Sequence, residues 1–362
     1  MKVIISGGGT GGHIFPAIAI ANALKELDAS VEILFVGAKD RMEMEKVPAA
    51  GYKIEGLWIS GLQRRLTLKN LLFPFKVISS MMRARKIIKE FKPNVAVGTG
   101  GFASGPLLRA AAGMGVPTLI QEQNAFPGIT NKLLSKKVNK ICVVHQGMDR
   151  FFPKNKILIV GNPVRKDILT LDGKKEEALK FFNLNANTKI VLVIGGSLGA
   201  RTINESIHAS LEELKTKGIQ LIWQTGKGFS GNNTPLAKEY GWRGEFITKM
   251  DLAYAAADVV VSRAGALSLS ELAIVKKPCI LVPSPNVAED HQTKNAKSFV
   301  DAHAAIMVKD SDAKIELSKE IIKLVSDINL QHKLSSNIVA FAFPKAAETI
   351  AKEVMQLGNL NA

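Results

Sequence analysis

Short apolar runs alternating with longer amphipathic stretches set the pattern of the first 162 residues. Runs at 2–6, 31–36, 95–97, 117–120, 140–144 and 157–160 are too brief for buried helices and are bounded by turn-forming or charged residues, so they predict strands. The stretches between them predict helices, as in Ile14-Phe15-Pro16-Ala17-Ile18 and the apolar segment 107–112. Strand then helix, repeated, predicts an α/β fold with a parallel sheet covered by helices. A lysine- and glutamate-rich helix at 174–180 opens a second series, with strands at 189–194, 219–223, 258–262 and 278–282. The turn Gly161-Asn162-Pro163-Val164-Arg165 between the series predicts the linker. A final helix starting at Pro344 lines up Ala347, Ile350, Ala351, Val354 and Met355 on one side, and its periodicity does not say which half covers that face.

Glycines follow several of these strands directly. Val3-Ile4-Ile5 runs into Ser6-Gly7-Gly8-Gly9-Thr10-Gly11-Gly12-His13, where backbone N–H groups at a helix start suit a phosphate. The spacing Gly7-x-Gly9-x-x-Gly12 fits the dinucleotide fingerprint, which also needs an acidic residue at the end of the second strand. That strand ends in Gly37-Ala38-Lys39, which weakens the NAD reading. Similar junctions follow at Gly98-Thr99-Gly100-Gly101, at Gly195-Gly196-Ser197-Leu198-Gly199 and at Ser262-Arg263-Ala264-Gly265. Loops at the carboxyl ends of strands in one sheet share the edge where open α/β sheets bind ligands, although any single loop also fits a plain tight turn.

Candidate chemistry clusters at these junctions. His13 closes the first loop, and an imidazole with an ordinary pKa of about 6.5 suits removal of a proton from a hydroxyl; capping of the helix start is the alternative. Ser197 reads as a diphosphate ligand or a plain N-cap. Glu271, among apolar neighbours and with no lysine at i+4, suits the paired hydroxyls of a ribose. With Asp290 as N-cap, Gln292 and Asn295 fall three apart on one helix face and suit a hydroxyl-rich ligand. Asp310-Ser311-Asp312 reads as a helix N-cap rather than a metal site. The sequence has no zinc-type Cys/His spacing and no P-loop lysine motif.

Composition narrows the partners. With 46% apolar and 22% charged residues the chain describes a globular protein, and Cys142 and Cys279 in apolar strands predict buried thiols in a reducing compartment. The formal charge of +16 asks for an anionic partner. Aromatic residues at only 6% count against nucleic acid. In the segment 57–76, Trp58, Leu72, Phe73 and Phe75 stand among Arg64, Arg65, Lys69 and Lys76. This fits a membrane-surface element, and equally a core helix with a basic solvated face. No apolar run is long enough to span a bilayer, and the early first strand leaves no room for a signal peptide.

Taken together, Gly8-Gly9-Thr10-Gly11-Gly12-His13, Gly100-Gly101-Phe102-Ala103-Ser104-Gly105-Pro106, Glu122-Gln123-Asn124, Gly161-Asn162-Pro163-Val164-Arg165, Gly195-Gly196-Ser197, Ser262-Arg263-Ala264-Gly265-Ala266 and His291-Gln292-x-x-Asn295-Ala296 resemble the MurG family, the peptidoglycan glycosyltransferases that convert lipid I to lipid II. The resemblance implies a GT-B fold of two Rossmann-like domains facing across a cleft. It implies an acceptor and membrane-facing domain at 1–162 plus 343–362, since the last helix of such folds crosses back, and a UDP-sugar domain at 163–342. It also implies inverting, metal-free and cofactor-free transfer of N-acetylglucosamine from UDP-N-acetylglucosamine to the 4-hydroxyl of lipid I. By this resemblance Met250 meets the uracil, Glu271 the ribose, Ser197 and Arg165 the diphosphate, and Gln292 with Asn295 the sugar. Thr10, Gly11, Gly12, His13 and Asn124 face the reacting groups, with His13 and Asn124 catalytic. The implied place is the cytoplasmic face of the inner membrane, on an anionic surface and beside cell-wall synthesis and division proteins. His291 departs from family members that carry two consecutive glutamines there. Two alternatives remain: a GT-B nucleotide-sugar 2-epimerase, and a membrane-surface nucleotide-binding module without chemistry.

Overall fold

The computed structural model describes residues 1–61, 72–196, 199–229, 236–287 and 290–359. The chain forms two compact units, one of residues 1–165 with 343–362 and the other of residues 166–342.

The first unit carries a parallel seven-stranded sheet of β1 (Lys2–Gly7), β2 (Glu32–Ala38), β3 (Lys53–Leu57), β4 (Val95–Gly100), β5 (Thr118–Glu122), β6 (Lys140–Val143) and β7 (Ile157–Ile159). Their spatial order is β3-β2-β1-β4-β5-β6-β7, so the winding reverses between β1 and β4. Successive side chains of a strand point to opposite faces, and both faces are apolar here because both are covered. Val3, Ile5, Val95, Val97 and Leu119 pack under α1 (Gly11–Leu27) and the C-terminal helix Ala346–Asn359. Ile4, Ala96, Ile120 and Ile141 pack under α3 (Phe73–Phe91), α4 (Ser104–Gly113) and α5 (Ile129–Leu134). A short α2 (Glu43–Ala49) follows β2. The C-terminal helix buries Ile350, Ala351, Val354 and Leu357 in the first unit, answering the question its periodicity left open. It begins two residues beyond Pro344, at Ala346.

The second unit repeats the plan with β8 (Lys189–Ile194), β9 (Ile219–Gln224), β10 (Gly241–Gly244), β11 (Val259–Ser262), β12 (Cys279–Leu281) and β13 (Ile306–Met307), in the order β10-β9-β8-β11-β12-β13. Here the reversal falls between β8 and β11. The helices are α6 (Lys175–Phe181), α7 (Arg201–Ala209), α8 (Leu211–Thr216), α9 (Met250–Ala256), α10 (Ala266–Val275), α11 (His291–Asp301), α12 (Ala313–Ser326) and α13 (Ile328–Ile338). Trp223, Val261 and Ile280 share a core with Ile203, Leu317 and Ile321.

The three strands that periodicity missed, β3, β10 and β13, are all edge strands. With one neighbour each and little burial they need no apolar run: β10 reads Gly-Trp-Arg-Gly and none of its residues is buried. Both cysteines are buried and unpaired, and burial pushes each thiol up to about 12.

Candidate active site

In an open parallel sheet the ligand crevice lies at the carboxyl ends of the strands where the winding reverses. In the first unit that point is flanked by the loops after β1 and β4. The two are pressed together: Gly8 N–H donates to the Gly100 carbonyl at 3.2 Å. Gly101 sits at a φ of 91°, and a Cβ there would collide with the Gly8 carbonyl. Only glycine combines that backbone with that proximity. A Cβ on Gly100 would stand 2.6 Å from His13 Nδ1, so the β4 loop also makes room for the imidazole.

His13 lies in the first turn of α1, whose N-cap is the exposed Thr10 and whose first residues are Gly11 and Gly12. The leading N–H groups of such a helix lack partners four residues back. His13 Nδ1 is 3.0 Å from the Thr99 carbonyl. A carbonyl only accepts, so Nδ1 carries the hydrogen and the neutral ring keeps its lone pair on Nε2. Burial lowers the His13 pKa below its ordinary value of 6.5; the charges of Glu122 and Glu43 and the hydrogen bonds to Thr99 and Gln123 oppose that shift without cancelling it. At neutral pH the ring is therefore an uncharged proton acceptor.

Beside it, Gln123 Nε2 donates to the same Thr99 carbonyl at 2.6 Å and to Gln121 Oε1, while Gln121 Nε2 donates to Asn162 Oδ1 at 2.9 Å. Asn124 is half-buried, and both its backbone N–H (3.0 Å) and its side-chain amide (3.2 Å) donate to Glu122 Oε1. Glu122 Oε2 accepts from Asn131 Nδ2 at 2.8 Å and from Gly128 N–H at 3.2 Å. The Arg165 guanidinium lies 5.6 Å from the Phe15 ring centroid on α1.

In the second unit Met250, Glu271, and Gln292 with Asn295 lie on α9, α10 and α11, the helices that follow β10, β11 and β12. Met250 is buried at the start of α9, and on the same helix the Tyr254 hydroxyl donates to Glu271 Oε2 at 3.0 Å. Glu271 is buried, unlike an ordinary solvated helix carboxylate. Gln292 Oε1 accepts Ser284 N–H at 2.9 Å, which leaves its NH2 group to donate. Asn295 is buried and reaches the Ala264 carbonyl at 3.4 Å, while its Oδ1 has no partner. A buried amide oxygen without a donor is costly, and a ligand hydroxyl would relieve it.

Two expected caps are corrected. Asp290 occupies the N-cap position of α11 but has φ 51°, a left-handed backbone, and its side chain caps nothing. Asp312 precedes α12 without a side-chain cap bond; its Oδ1 accepts from Ser311 Oγ. Asp310 instead pairs with Arg263 at 2.5 Å and accepts from Thr202 Oγ1 at 2.9 Å. Arg263 also donates to the Val282 and Pro283 carbonyls at 3.0 and 3.2 Å, so the Arg263–Asp310 pair joins the end of β12 to Thr202 on α7. Sequence reasoning had given no part to Glu43, Tyr254 or this Arg263–Asp310 pair. Ser197, Arg64, Arg65 and Lys69 lie outside the described residues.

In the basic apolar segment 57–76 the described residues are 57–61 and 72–76, the latter opening α3. α3 buries Ser80, Ala84, Ile87 and Ile88 and exposes Phe75 (66%), Ile78 (57%) and Met82 (62%) on another face. Trp58 and Leu72 are also exposed, whereas Phe73 and Lys76 are half-buried. The Lys76 ammonium donates to Ser60 Oγ at 2.9 Å and lies 5.6 Å from the Trp58 ring centroid. Arg83, Arg85, Lys86 and Lys89 stand exposed farther along α3. Among the described residues no helix is long and apolar enough to cross a membrane.

Two doubly wound units, each with glycine turns at its point of reversal, are the plan of the GT-B fold. The comparisons agree: residues 3–143 match the glycosyltransferase family 28 N-terminal domain and residues 190–350 the family 28 C-terminal domain. The chain belongs to glycosyltransferase family 28, and within it to the MurG family. It is 58% identical to the UDP-N-acetylglucosamine--N-acetylmuramyl-(pentapeptide) pyrophosphoryl-undecaprenol N-acetylglucosamine transferase of Cytophaga hutchinsonii, over 99% of this chain and 97% of that one. The same-named transferase of Flavobacterium psychrophilum is 54% identical over 98% and 97%. The crystal structure of Acinetobacter baumannii MurG superimposes with a TM-score of 0.76 at 27% identity, covering 98% of this chain and 99% of that one. A Neisseria meningitidis UDP-GlcNAc 2-epimerase bound to UDP-GlcNAc shares the fold, with a TM-score of 0.67 at 13% identity over 98% and 100%.

Proposed function

We propose that this hexosyltransferase moves N-acetylglucosamine from UDP-N-acetylglucosamine to the 4-hydroxyl of the N-acetylmuramyl sugar of lipid I, with inversion, giving lipid II. The single observation that carries the chemical reading is the His13 Nδ1 bond to the Thr99 carbonyl, which makes Nε2 the proton acceptor. His13 takes the proton of the acceptor hydroxyl as its oxygen attacks the anomeric carbon, and UDP departs with the bonding pair. Asn124, fixed on Glu122, orients the reacting sugars beside it. Thr10, Gly11 and Gly12 at the start of α1 hold the acceptor pyrophosphate.

In the second unit Glu271 takes the ribose hydroxyls, Met250 lies by the uracil, and Gln292 and Asn295 read the sugar, a role that suits the unpartnered Asn295 Oδ1. Arg165 and Ser197 serve the departing diphosphate. Thus the first unit takes the acceptor and the second the donor. The apolar stripe of α3, with Trp58, Leu72 and the nearby cations, supports a peripheral place on the anionic cytoplasmic face of the inner membrane. Cell-wall synthesis and division proteins are proposed partners there.

Incubation with radiolabelled UDP-N-acetylglucosamine, with and without a lipid I analogue, tests the reading. A β-1,4 disaccharide product that requires the acceptor supports it. Turnover of the donor alone would make the chain an epimerase, and binding without product a nucleotide-holding module.

A further inference from the structure

Glu43 takes no part in the reaction as described, yet it is the carboxylate built into the first glycine loop. It is 1% exposed at the start of α2. Oε2 accepts the Gly9 N–H at 2.8 Å, and Oε1 accepts the Ala38 N–H, at the tip of β2, at 3.0 Å. A Cβ on Gly8 would collide with Glu43 Oε1, and one on Gly37 would lie 2.5 Å from Glu43 Cγ, so both backbones lie against this side chain. Hydrogen bonds from amides to an ionised carboxylate are short and strong, and burial makes them stronger.

Two consequences follow. The Gly9 N–H already has an anionic acceptor, so a substrate phosphate at this loop is left with the N–H groups at the start of α1, from Thr10 onward. The loop is also fastened from two sides before any substrate arrives, by Glu43, itself held to the tip of β2 through Ala38, and by the Gly8 bond to Gly100 on β4.

We propose that Glu43 is a positioning residue for the transfer reaction: it ties the 8–10 turn to the tip of β2 and so holds His13, at the head of α1, on the Thr99 carbonyl. The proposal rests on the reading of His13 as the base. The Glu43 charge acts in the same direction as its geometry. With Glu122, the other carboxylate bearing on the ring, it opposes the loss of basicity that burial imposes on His13. Thr99 and Gln123 supply the remaining polar contacts to the imidazole.

The test uses the full-length enzyme and two variants, Glu43→Gln and Glu43→Asp, with His13 titrated by NMR and transfer followed against pH. Glutamine keeps the shape, removes the charge and sets an NH2 group against one amide donor. In E43Q the His13 titration and the acidic limb of kcat both move to lower pH, and kcat falls about tenfold or more with the UDP-N-acetylglucosamine KM within about twofold. In E43D, which keeps the charge but is too short to span both amides, kcat falls while the His13 titration stays closer to that of the unaltered enzyme. A folded E43Q with unmoved titration and undiminished kcat overturns the proposal. Lowered stability with unchanged kcat of the folded enzyme makes Glu43 a structural staple and equally overturns it. Should E43Q fail to fold, E43D decides, and an undiminished kcat there refutes the tie. The NMR titration needs no turnover, so normal activity in a His13→Ala variant would remove the base assignment and leave the effect of Glu43 on the ring measurable.

Discussion

His13 donates its Nδ1 hydrogen to the carbonyl of Thr99, 3.0 Å away, and this bond fixes which face of the imidazole accepts a proton. Burial dominates the shift of the ring and keeps its pKa below 6.5. Because the base must be unprotonated, the acidic limb of kcat should fall at lower pH than an ordinary imidazole would give. The sign for stability follows from the same shift. Below the ordinary imidazole pKa the unfolded chain binds the proton that folded His13 refuses, so unfolding becomes easier as pH drops there. His145, also lowered by burial, adds to that loss. Paired pH series of kcat and of denaturant midpoint check both; an acidic limb above 6.5 contradicts the assignment.

Glu122 holds the loop that carries Asn124 through four hydrogen bonds. Replacing it by alanine strands buried donors and should cost about 2–4 kcal/mol of stability, with a fall in kcat as Asn124 loses its anchor. Urea denaturation gives the first quantity and steady-state transfer the second. An unaltered denaturation midpoint would show that water replaces the carboxylate without loss.

Tyr254 stands behind Glu271, its hydroxyl 3.0 Å from Oε2. A Tyr254→Phe change removes one neutral-to-charged hydrogen bond, worth about 1.5 kcal/mol. The donor KM should therefore rise about tenfold, with kcat nearly unchanged because the ribose is remote from the bond that breaks. Donor-dependence curves read the split; a fall in kcat at constant KM would move Glu271 away from ribose binding.

Phe75, Ile78 and Met82 are exposed, so changing all three to serine should leave the fold intact while lowering partition onto anionic vesicles by roughly a hundredfold. Turnover of a water-soluble acceptor analogue should persist. Undiminished vesicle binding would return the stripe to ordinary surface. Phe73, half-buried, is the poorer choice for this test.

What the sequence disclosed, and what it hid, divides along physical lines. The glycine loops were legible because a close backbone approach such as that of Gly101 to Gly8 leaves no side chain as an option, and central strands were legible because both faces must be apolar. Edge strands such as β10 obey neither constraint. Glu43 escaped notice because a carboxylate was sought at the end of β2, where Lys39 stands, while the acidic group comes from the next helix and turns inward. Tyr254 is 17 residues from Glu271, and Arg263 is 47 from Asp310; only the tertiary fold joins them. The cap at Asp290 failed because its backbone turns left-handed, a choice the local sequence does not announce.

The central claim is that His13 removes the acceptor's proton, and the kcat of a His13→Ala variant with UDP-N-acetylglucosamine and a lipid I analogue tests it most directly. A fall of about a hundredfold or more, with donor KM nearly kept and the protein still folded, is the predicted result. Normal turnover in that variant would contradict it and take His13 out of the mechanism.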